Sequence, residues 1–324
     1  MLNDKVILVT GGTGSFGKKF VEVVLRDYRP KKLIVFSRDE LKQHEMRQIF
    51  PDGGESPMRY FIGDVRDLGR LERALRGVDV VVHAAALKQV PACEYNPFEA
   101  IKTNVLGSKN VIDACLDAGV AKLMAISTDK AVNPVNLYGA TKLCAEKMFI
   151  NANAYSTEGG PRISVCRYGN VLGSRGSVVP IFRKQAVTGR VTVTDPRMTR
   201  FWITLEQGVR FVLRCIEEMH GGEIFVPKIP TMSIVELART LAPGCSVEHI
   251  GIRPGEKIHE VLMSDDESRQ AMETDGMYII KPQRPWWREE NWSHATPVPE
   301  GFVFSSSNSP ELSAEELLAM IEEG

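Results

Sequence analysis

The sequence predicts an α/β protein, a doubly wound parallel sheet with a smaller C-terminal lobe, and three observations carry that prediction. Short β-branched runs without polar alternation recur through the first half, as strands buried on both faces require. Longer amphipathic stretches separate them, the pattern of a parallel sheet covered by helices on its two sides. The second half is less regular, which marks a different kind of lobe.

Each element follows from its own residues. Val6-Ile7-Leu8-Val9 reads as a buried strand, and Lys18 to Asp27 as the helix after it. Leu33–Phe36, Arg59–Ile62, Val80–His83, Leu123–Ile126 and Ile163–Cys166 supply five more strands. Asn104 to Ala118 and Thr141 to Ala154 carry helical periodicity between them. Later, Arg183 to Thr194, Gly222 to Pro230 and Val247 to Glu256 read as short strands and loops. Ser233 with Glu236, and Ser313 with Glu316, form capping-box patterns that open helices through Leu241 and over Ala314 to Glu322. Leu312 and Leu317 are spaced as a hydrophobic staple for the second. Pro282 to Pro299, with Trp286, Trp287 and Trp292, reads as a loop packed on the body or on a neighbouring subunit, packing on the body being preferred.

With 324 residues, 25% charged and 43% hydrophobic, the chain has the composition of a globular protein with a sizeable core. A formal net charge of -1 gives no general attraction for nucleic acid or anionic membrane, so any bound anion needs a local site. The six cysteines, at 93, 115, 144, 166, 215 and 245, form no CxxC pair and read as small core residues in a reducing compartment. The N-terminus runs straight into a strand, and no apolar stretch approaches the ~20 residues of a membrane helix. The expectation is a cytoplasmic protein with no metal centre, and with His83 as a satisfied core residue.

The first strand ends in Thr10-Gly11-Gly12-Thr13-Gly14-Ser15-Phe16-Gly17. Glycines at 11, 14 and 17 suit a tight turn, a close approach of backbone to a pyrophosphate, and close helix–strand packing. The helix that follows offers unpaired N–H groups and a positive dipole end to phosphates. This makes the first half a Rossmann-type nucleotide-binding domain over 1–170, with 200–222 returning to it and 171–324 mainly a substrate-binding lobe and tail. Within the turn, Thr13, Ser15 and Phe16 are cofactor-contact candidates. After the second strand come Ser37-Arg38-Asp39 and then Lys42; Ser37, Arg38 and Lys42 suit the 2′-phosphate of NADP. Asp39 would serve NAD instead if the register slips. Asp64-Val65, Ala84-Ala85-Ala86 and Asn104 complete the cofactor candidates. The GxxGxxG spacing resembles that of the short-chain dehydrogenase/reductase superfamily.

The fifth strand ends in Ser127-Thr128-Asp129-Lys130, followed by Tyr138-Gly139-Ala140-Thr141-Lys142. Tyr and Lys four apart share a helix face, and a nearby ammonium lowers a phenol's pKa, so Tyr138 is the candidate base and Lys142 its partner. Thr128 can hydrogen-bond the hydroxyl being oxidised. Many sugar-nucleotide 4,6-dehydratases carry Thr-Asp-Glu at such a strand end, where this chain has Thr-Asp-Lys. Together with Ala85–Pro91, Tyr168–Ser177, Gly251–Lys257 and the Leu-Ser-Ala-Glu-Glu-Leu segment at 312–317, the chain closely resembles the inverting UDP-N-acetylglucosamine 4,6-dehydratases, enzymes of pseudaminic acid synthesis.

That resemblance implies a mechanism. Tyr138 takes the C4 hydroxyl proton, Lys130 is the base at C5, Asp129 the acid for loss of the C6 hydroxyl, and the hydride returns to C6. The product would be UDP-2-acetamido-2,6-dideoxy-β-L-arabino-hexos-4-ulose. A lysine base requires burial or a cationic neighbour that depresses its pKa; the competing account of Lys130 is a surface ion pair. The resemblance also implies that Lys88, Asn170, Arg200, Arg253 and Glu256 meet the substrate, against the alternative of exposed charges and turn residues. It implies a homo-oligomer as well. A retaining dehydratase, a UDP-sugar epimerase, and a non-catalytic NADP-sensing protein are the alternative readings.

Overall fold

A computed structural model of the chain describes residues 1–156, 159–173, 178–284, 287 and 289–323. Its strands, in chain order, are β1 Val6–Thr10, β2 Lys32–Ser37, β3 Met58–Ile62, β4 Val80–His83, β5 Lys122–Ile126, β6 Arg162–Cys166, β7 Asn170–Val171, β8 Arg190–Val193 and β9 Thr199–Ile203. They continue as β10 Ile224–Pro227, β11 Thr231–Ser233, β12 Ser246–His249, β13 Val261–Met263, β14 Ala271–Thr274, β15 Met277–Ile280, β16 Thr296–Pro297 and β17 Phe304–Ser305.

Among the described residues, ten strands form the central sheet in the order β16-β14-β15-β10-β6-β5-β4-β1-β2-β3. From β10 to β3 every neighbouring pair is parallel, with Ile7 facing Leu33 on one side and Val80 on the other. The chain order reverses between β1 and β4, so the crevice beyond their C-terminal ends is the topological switch point where ligands bind in such sheets. All five residues of β1 are buried, which is why that strand shows no alternation. One cover is the helix Ser15–Asp27, whose buried Phe20, Val21, Val23 and Val24 face the sheet. The helix Leu205–Glu218, opened by a reciprocal capping box between Thr204 and Gln207, packs against it.

The six expected strands of the first half are present, each longer by a residue or less at either end. The second half departs from expectation in two places. Val178–Ala186, expected in part as strand and loop, is a helix that turns Val179 and Phe182 inward. Strands β14 and β15, not anticipated, form a hairpin across Asp275-Gly276 and extend the sheet in antiparallel sense. Gly276 takes φ +81° there, the left-handed backbone that an Asp-Gly hairpin turn uses. β16, inside the expected Pro282–Pro299 loop, adds the edge strand. Trp292 is buried and Trp287 packs against the main core, as body packing requires. Trp286 lies outside the described residues, as do Ser174 to Ser177 of the Tyr168–Ser177 motif.

A second hydrophobic core joins Leu172, Phe182, Val191, Trp202, Leu237 and Leu317. It is built on the sheet β11-β9-β7 and the parallel pair β8–β12. The terminal helix Ala314–Glu323 is closed onto it by the predicted box: Ser313 N–H donates to Glu316 Oε2 at 2.8 Å, and Glu316 N–H to Ser313 Oγ at 3.1 Å. Ser233 caps its helix through the Glu236 N–H, but there the carboxylate accepts from the Ser233 hydroxyl rather than from its backbone. Five of the six free cysteines are buried or half-buried; Cys144 is exposed, against expectation. No described helix is long and apolar enough to cross a membrane.

Candidate active site

The C-terminal ends of β1, β2, β4 and β5 open into a cavity of about 920 Å³ that extends between the two cores. Its first wall is the glycine turn. Gly11 takes φ +66°, and a Cβ there would lie 2.9 Å from the Ala85 nitrogen. A Cβ at Gly17 would fall 2.4 Å from the Gly12 Cα, so the helix can begin against the strand only with glycine at that position. Gly17 thus lies beneath the turn, while Gly11, Thr13, Gly14, Ser15 and Phe16 line the cavity. Gly14 brings no side-chain cap to the helix, which presents its N-terminus to the cleft. Backbone close approach with an open helix end fits a dinucleotide pyrophosphate.

Ser37, Arg38 and Lys42 line the same end, with the Ser37 hydroxyl 2.8 Å from that of Thr13. Asp39 caps the helix Glu40–Ile49 through the Lys42 N–H and pairs with the Lys42 ammonium at 2.5 Å. Arg38 lies 3.5 Å from Asp64 Oδ2. Burial pushes the Asp64 carboxyl up, but hydrogen bonds from Arg66 outweigh it and the net shift is downward. Val65 and Ala84 to Ala86 continue the lining. Asn104 does not line the cavity. From a π-helical turn at Lys102–Leu106 it accepts from the Leu87 N–H and donates to the Leu87 carbonyl and to Thr141 Oγ1. It pegs the Ala84–Leu87 segment, which does line the cavity, to the helix Leu137–Ala152.

His83 is buried between the hydroxyls of Thr10 and Ser108, and burial with the nearby Lys142 lowers its pKa to about 3. It is a neutral core residue, as expected.

The catalytic candidates come together on two elements. Thr128 caps a 3-10 turn at Asp129–Ala131, and its hydroxyl donates to Asp129 Oδ1 at 2.8 Å. Tyr138 and Lys142 occupy the helix Leu137–Ala152, which starts earlier than predicted because Asn136 caps it through the Gly139 N–H. The helix and the turn touch at Gly139, where a Cβ would fall 2.1 Å from the Lys130 carbonyl oxygen. Lys142 donates to the Ile126 carbonyl at 2.7 Å, and burial lowers its pKa to about 8 although Glu146 opposes the shift.

Two electrostatic expectations are corrected here. Tyr138 is not lowered: burial pushes its phenol up to about 12, and the cation that opposes this is Lys130 rather than Lys142. Lys130 does not have the depressed pKa that a lysine base needs at rest. Burial would lower it, but Asp129 Oδ1 at 3.1 Å and Glu260 Oε1 at 3.4 Å hold the ammonium and raise it. It is also no surface ion pair, because Asp129 is fully buried and Glu260 nearly so.

The substrate candidates divide. Asn170 lines the cavity with its buried Oδ1 unpartnered among the described residues, an acceptor awaiting a donor. Lys88 lines it too, its ammonium lowered by desolvation and by Lys130. Arg253 and Glu256 lie at the exposed rim, 4.0 Å apart. Arg200 faces the cavity but donates to the carbonyls of Thr199, Lys257 and Ile258, so its fork clamps the 257–258 backbone. Two charged features escaped the sequence reading. Glu260 follows the Gly251–Lys257 motif as an isolated acid before β13, with no periodicity to flag it. Arg167, after β6, is fully buried between Glu146 and Glu267, joined by bonds of 2.6 and 2.8 Å.

A family profile described as polysaccharide biosynthesis protein matches residues 7–282. An inverting UDP-N-acetylglucosamine 4,6-dehydratase of Campylobacter jejuni is 54% identical, covering 99% of this chain and 98% of its own. A UDP-glucose 4-epimerase of Rickettsia akari is 43% identical over 86% of this chain and 84% of its own. Among solved structures, Pen from Bacillus thuringiensis superposes with a TM-score of 0.90 at 37% identity, covering 100% of this chain and 98% of that one. The chain belongs to the polysaccharide biosynthesis protein family, alongside the inverting UDP-N-acetylglucosamine 4,6-dehydratases.

Proposed function

We propose that this chain is a UDP-N-acetylglucosamine 4,6-dehydratase that inverts C5 and uses NADP. The observation that carries the proposal is the Asp129–Lys130 pair beside Tyr138: oxidation at C4 alone has no use for a further acid and base, whereas water loss across C5 and C6 needs both. The name borne by the 54% identical relative supports the same reading. Bound NADP supplies the hydride acceptor for C4 and the hydride that later goes to C6.

Tyr138 takes the C4 hydroxyl proton as a phenolate, a form that the Lys130 ammonium favours against burial and that the positive nicotinamide ring would favour further when NADP is bound. Thr128 orients that hydroxyl, and Lys142 holds the ribose. The ketone acidifies C5–H, Lys130 removes that proton, and Asp129 protonates the departing C6 hydroxyl. C5 then takes a proton on the opposite face, which the proton collected by Tyr138 balances. Asn170, Lys88 and Arg253 position the sugar nucleotide. Arg38 and Lys42 are the cations for a 2′-phosphate, since Asp39 is spent on its helix cap and on Lys42.

Incubating the protein with UDP-N-acetylglucosamine in deuterated water and reading the product by NMR tests this. A 4-keto-6-deoxy sugar, deuterated and inverted at C5, is expected. Unchanged substrate refutes the reading, and a C4 epimer would transfer it to the activity named for the Rickettsia relative. Lys130→Ala should abolish C5 exchange, whereas Arg38→Ala with Lys42→Ala should weaken NADP binding and spare NAD.

A further inference from the structure

Lys130 poses a problem that the proposed function leaves open: it is held as an ammonium, and an ammonium removes no proton. Glu260 offers the solution. It precedes β13, its backbone N–H donating to Ser306 Oγ at 2.9 Å and its carbonyl accepting from the Ser306 N–H at 2.8 Å, so the β13–β17 corner fixes it. Its side chain is 3% exposed. Oε1 lies 3.4 Å from Lys130 Nζ and 3.8 Å from Arg200 Nε, and Oε2 has no partner among the described residues.

The two carboxylates at Lys130 are therefore unlike. Asp129 Oδ1 accepts hydrogen bonds from both Thr128 and Lys130, which occupy that oxygen. Glu260 meets the ammonium as an ion pair at 3.4 Å, and its Oε2, like Asp129 Oδ2, has no partner among the described residues, so lone pairs on Glu260 stay open to a proton. The other charged groups around the pair are Arg200, Lys257 and Lys88, with Tyr138 across the cavity.

We propose that Glu260 is the positioning residue that makes Lys130 a base, by accepting the ammonium's proton and returning it after the elimination. The proposal rests on the dehydratase reading. One Nζ–H bond breaks and an O–H bond forms on Glu260. The freed amine takes the proton from C5, leaving an enolate. The re-formed ammonium passes a proton to Asp129, which delivers it to the C6 oxygen as the C–O bond breaks and water leaves. The amine recovers its proton from Glu260. Lys130, Asp129 and Glu260 end in their starting charge states, and the water carries the proton that left C5.

The test uses the full-length chain with NADP and UDP-N-acetylglucosamine, comparing wild type with Glu260→Gln and Glu260→Asp. Two rates are followed against pH: formation of the reduced cofactor by absorbance, and exchange of the C5 hydrogen by NMR. Glu260→Gln should lose about 100-fold in exchange at neutral pH, while cofactor reduction changes less than about threefold. Its exchange should climb as pH rises, because Lys130 must then lose its proton to solvent. Glu260→Asp should restore most of the rate. Unimpaired cofactor reduction shows that the variant is folded. If Glu260 merely held the ammonium in place, removing its charge would free the amine and exchange would rise at neutral pH. Exchange in Glu260→Gln at or above the wild-type rate therefore overturns the proposal. A wild-type chain that forms no ketone overturns the dehydratase reading and this proposal with it.

Discussion

Lys142 stands in the cleft as a buried amine that donates to the Ile126 carbonyl, and its depressed pKa has a consequence for stability. Its folded value, about 8, lies below its ordinary 10.5, so between these pH values the unfolded chain binds the extra proton. Stability from this group therefore rises as pH goes from about 8 to about 10.5, and below pH 8 the full cost of burying the ammonium is carried. Lys142→Met should raise the unfolding free energy at pH 7 by an amount on the order of 3 kcal/mol, less the lost hydrogen bond. Thermal unfolding followed against pH should show that gain fading between about pH 8 and 10.5, with turnover abolished throughout. Arg167 shows the opposite case. Its guanidinium is matched by two carboxylates, and Arg167→Ala would strand Glu146 in the core. A loss of about 3–5 kcal/mol is expected in denaturant titration.

At the scale of elements, the contact between the helix Leu137–Ala152 and the Asp129–Ala131 turn sets the site. Gly139→Ala would drive a methyl group into the Lys130 carbonyl. Overpacking of this kind costs about 1–3 kcal/mol. C5 exchange should fall more steeply than stability, as NMR exchange and thermal melting on one sample would show. Most of this element layer was legible in the sequence. Unalternated apolar runs of four or five residues, rich in Val and Ile and set between helical stretches, read as two-face-buried strands, and Asn136 ahead of Leu137 is an ordinary cap. The hairpin β14–β15 carried its Asp-Gly signal too, but amid short runs in the irregular half. What periodicity could not reveal was charge environment. Lys130 next to Asp129 is visible in one dimension, whereas Glu260, on a segment over a hundred residues away, reaches it only through the fold. Hence the lysine was identified and its protonation state was not. The partners of Arg200 were hidden in the same way: it is a cation in a plausible motif, and its donors go to carbonyls that sequence cannot place nearby.

For the whole molecule, the second core depends on the chain's last helix. Leu317 is fully buried there, and Met320 nearly so, against Phe182, Trp202 and Leu237. Truncation after Pro310 would expose that core while leaving the ten-stranded sheet its own packing. The shortened chain should still take up NADP, measured by fluorescence titration, but bind UDP-N-acetylglucosamine at least about tenfold more weakly, a loss of roughly 1.4 kcal/mol. Equal weakening of both ligands would mean that the cores do not respond separately.

The Gly139 contact reaches into substrate selection as well. With the Lys130 carbonyl filling the space where a side chain would be, the element proposed to act at C4 and the element proposed to act at C5 form one rigid gauge. A sugar ring seated for the first step is already in register for the second. On the proposed reading, a pentose nucleotide seated there would lose its C4 hydride and then stall, having no C6 hydroxyl to expel. The enzyme would be arrested with the hydride uncollected, a dead end created by a ruler that measures two adjacent carbons and cannot check for a third.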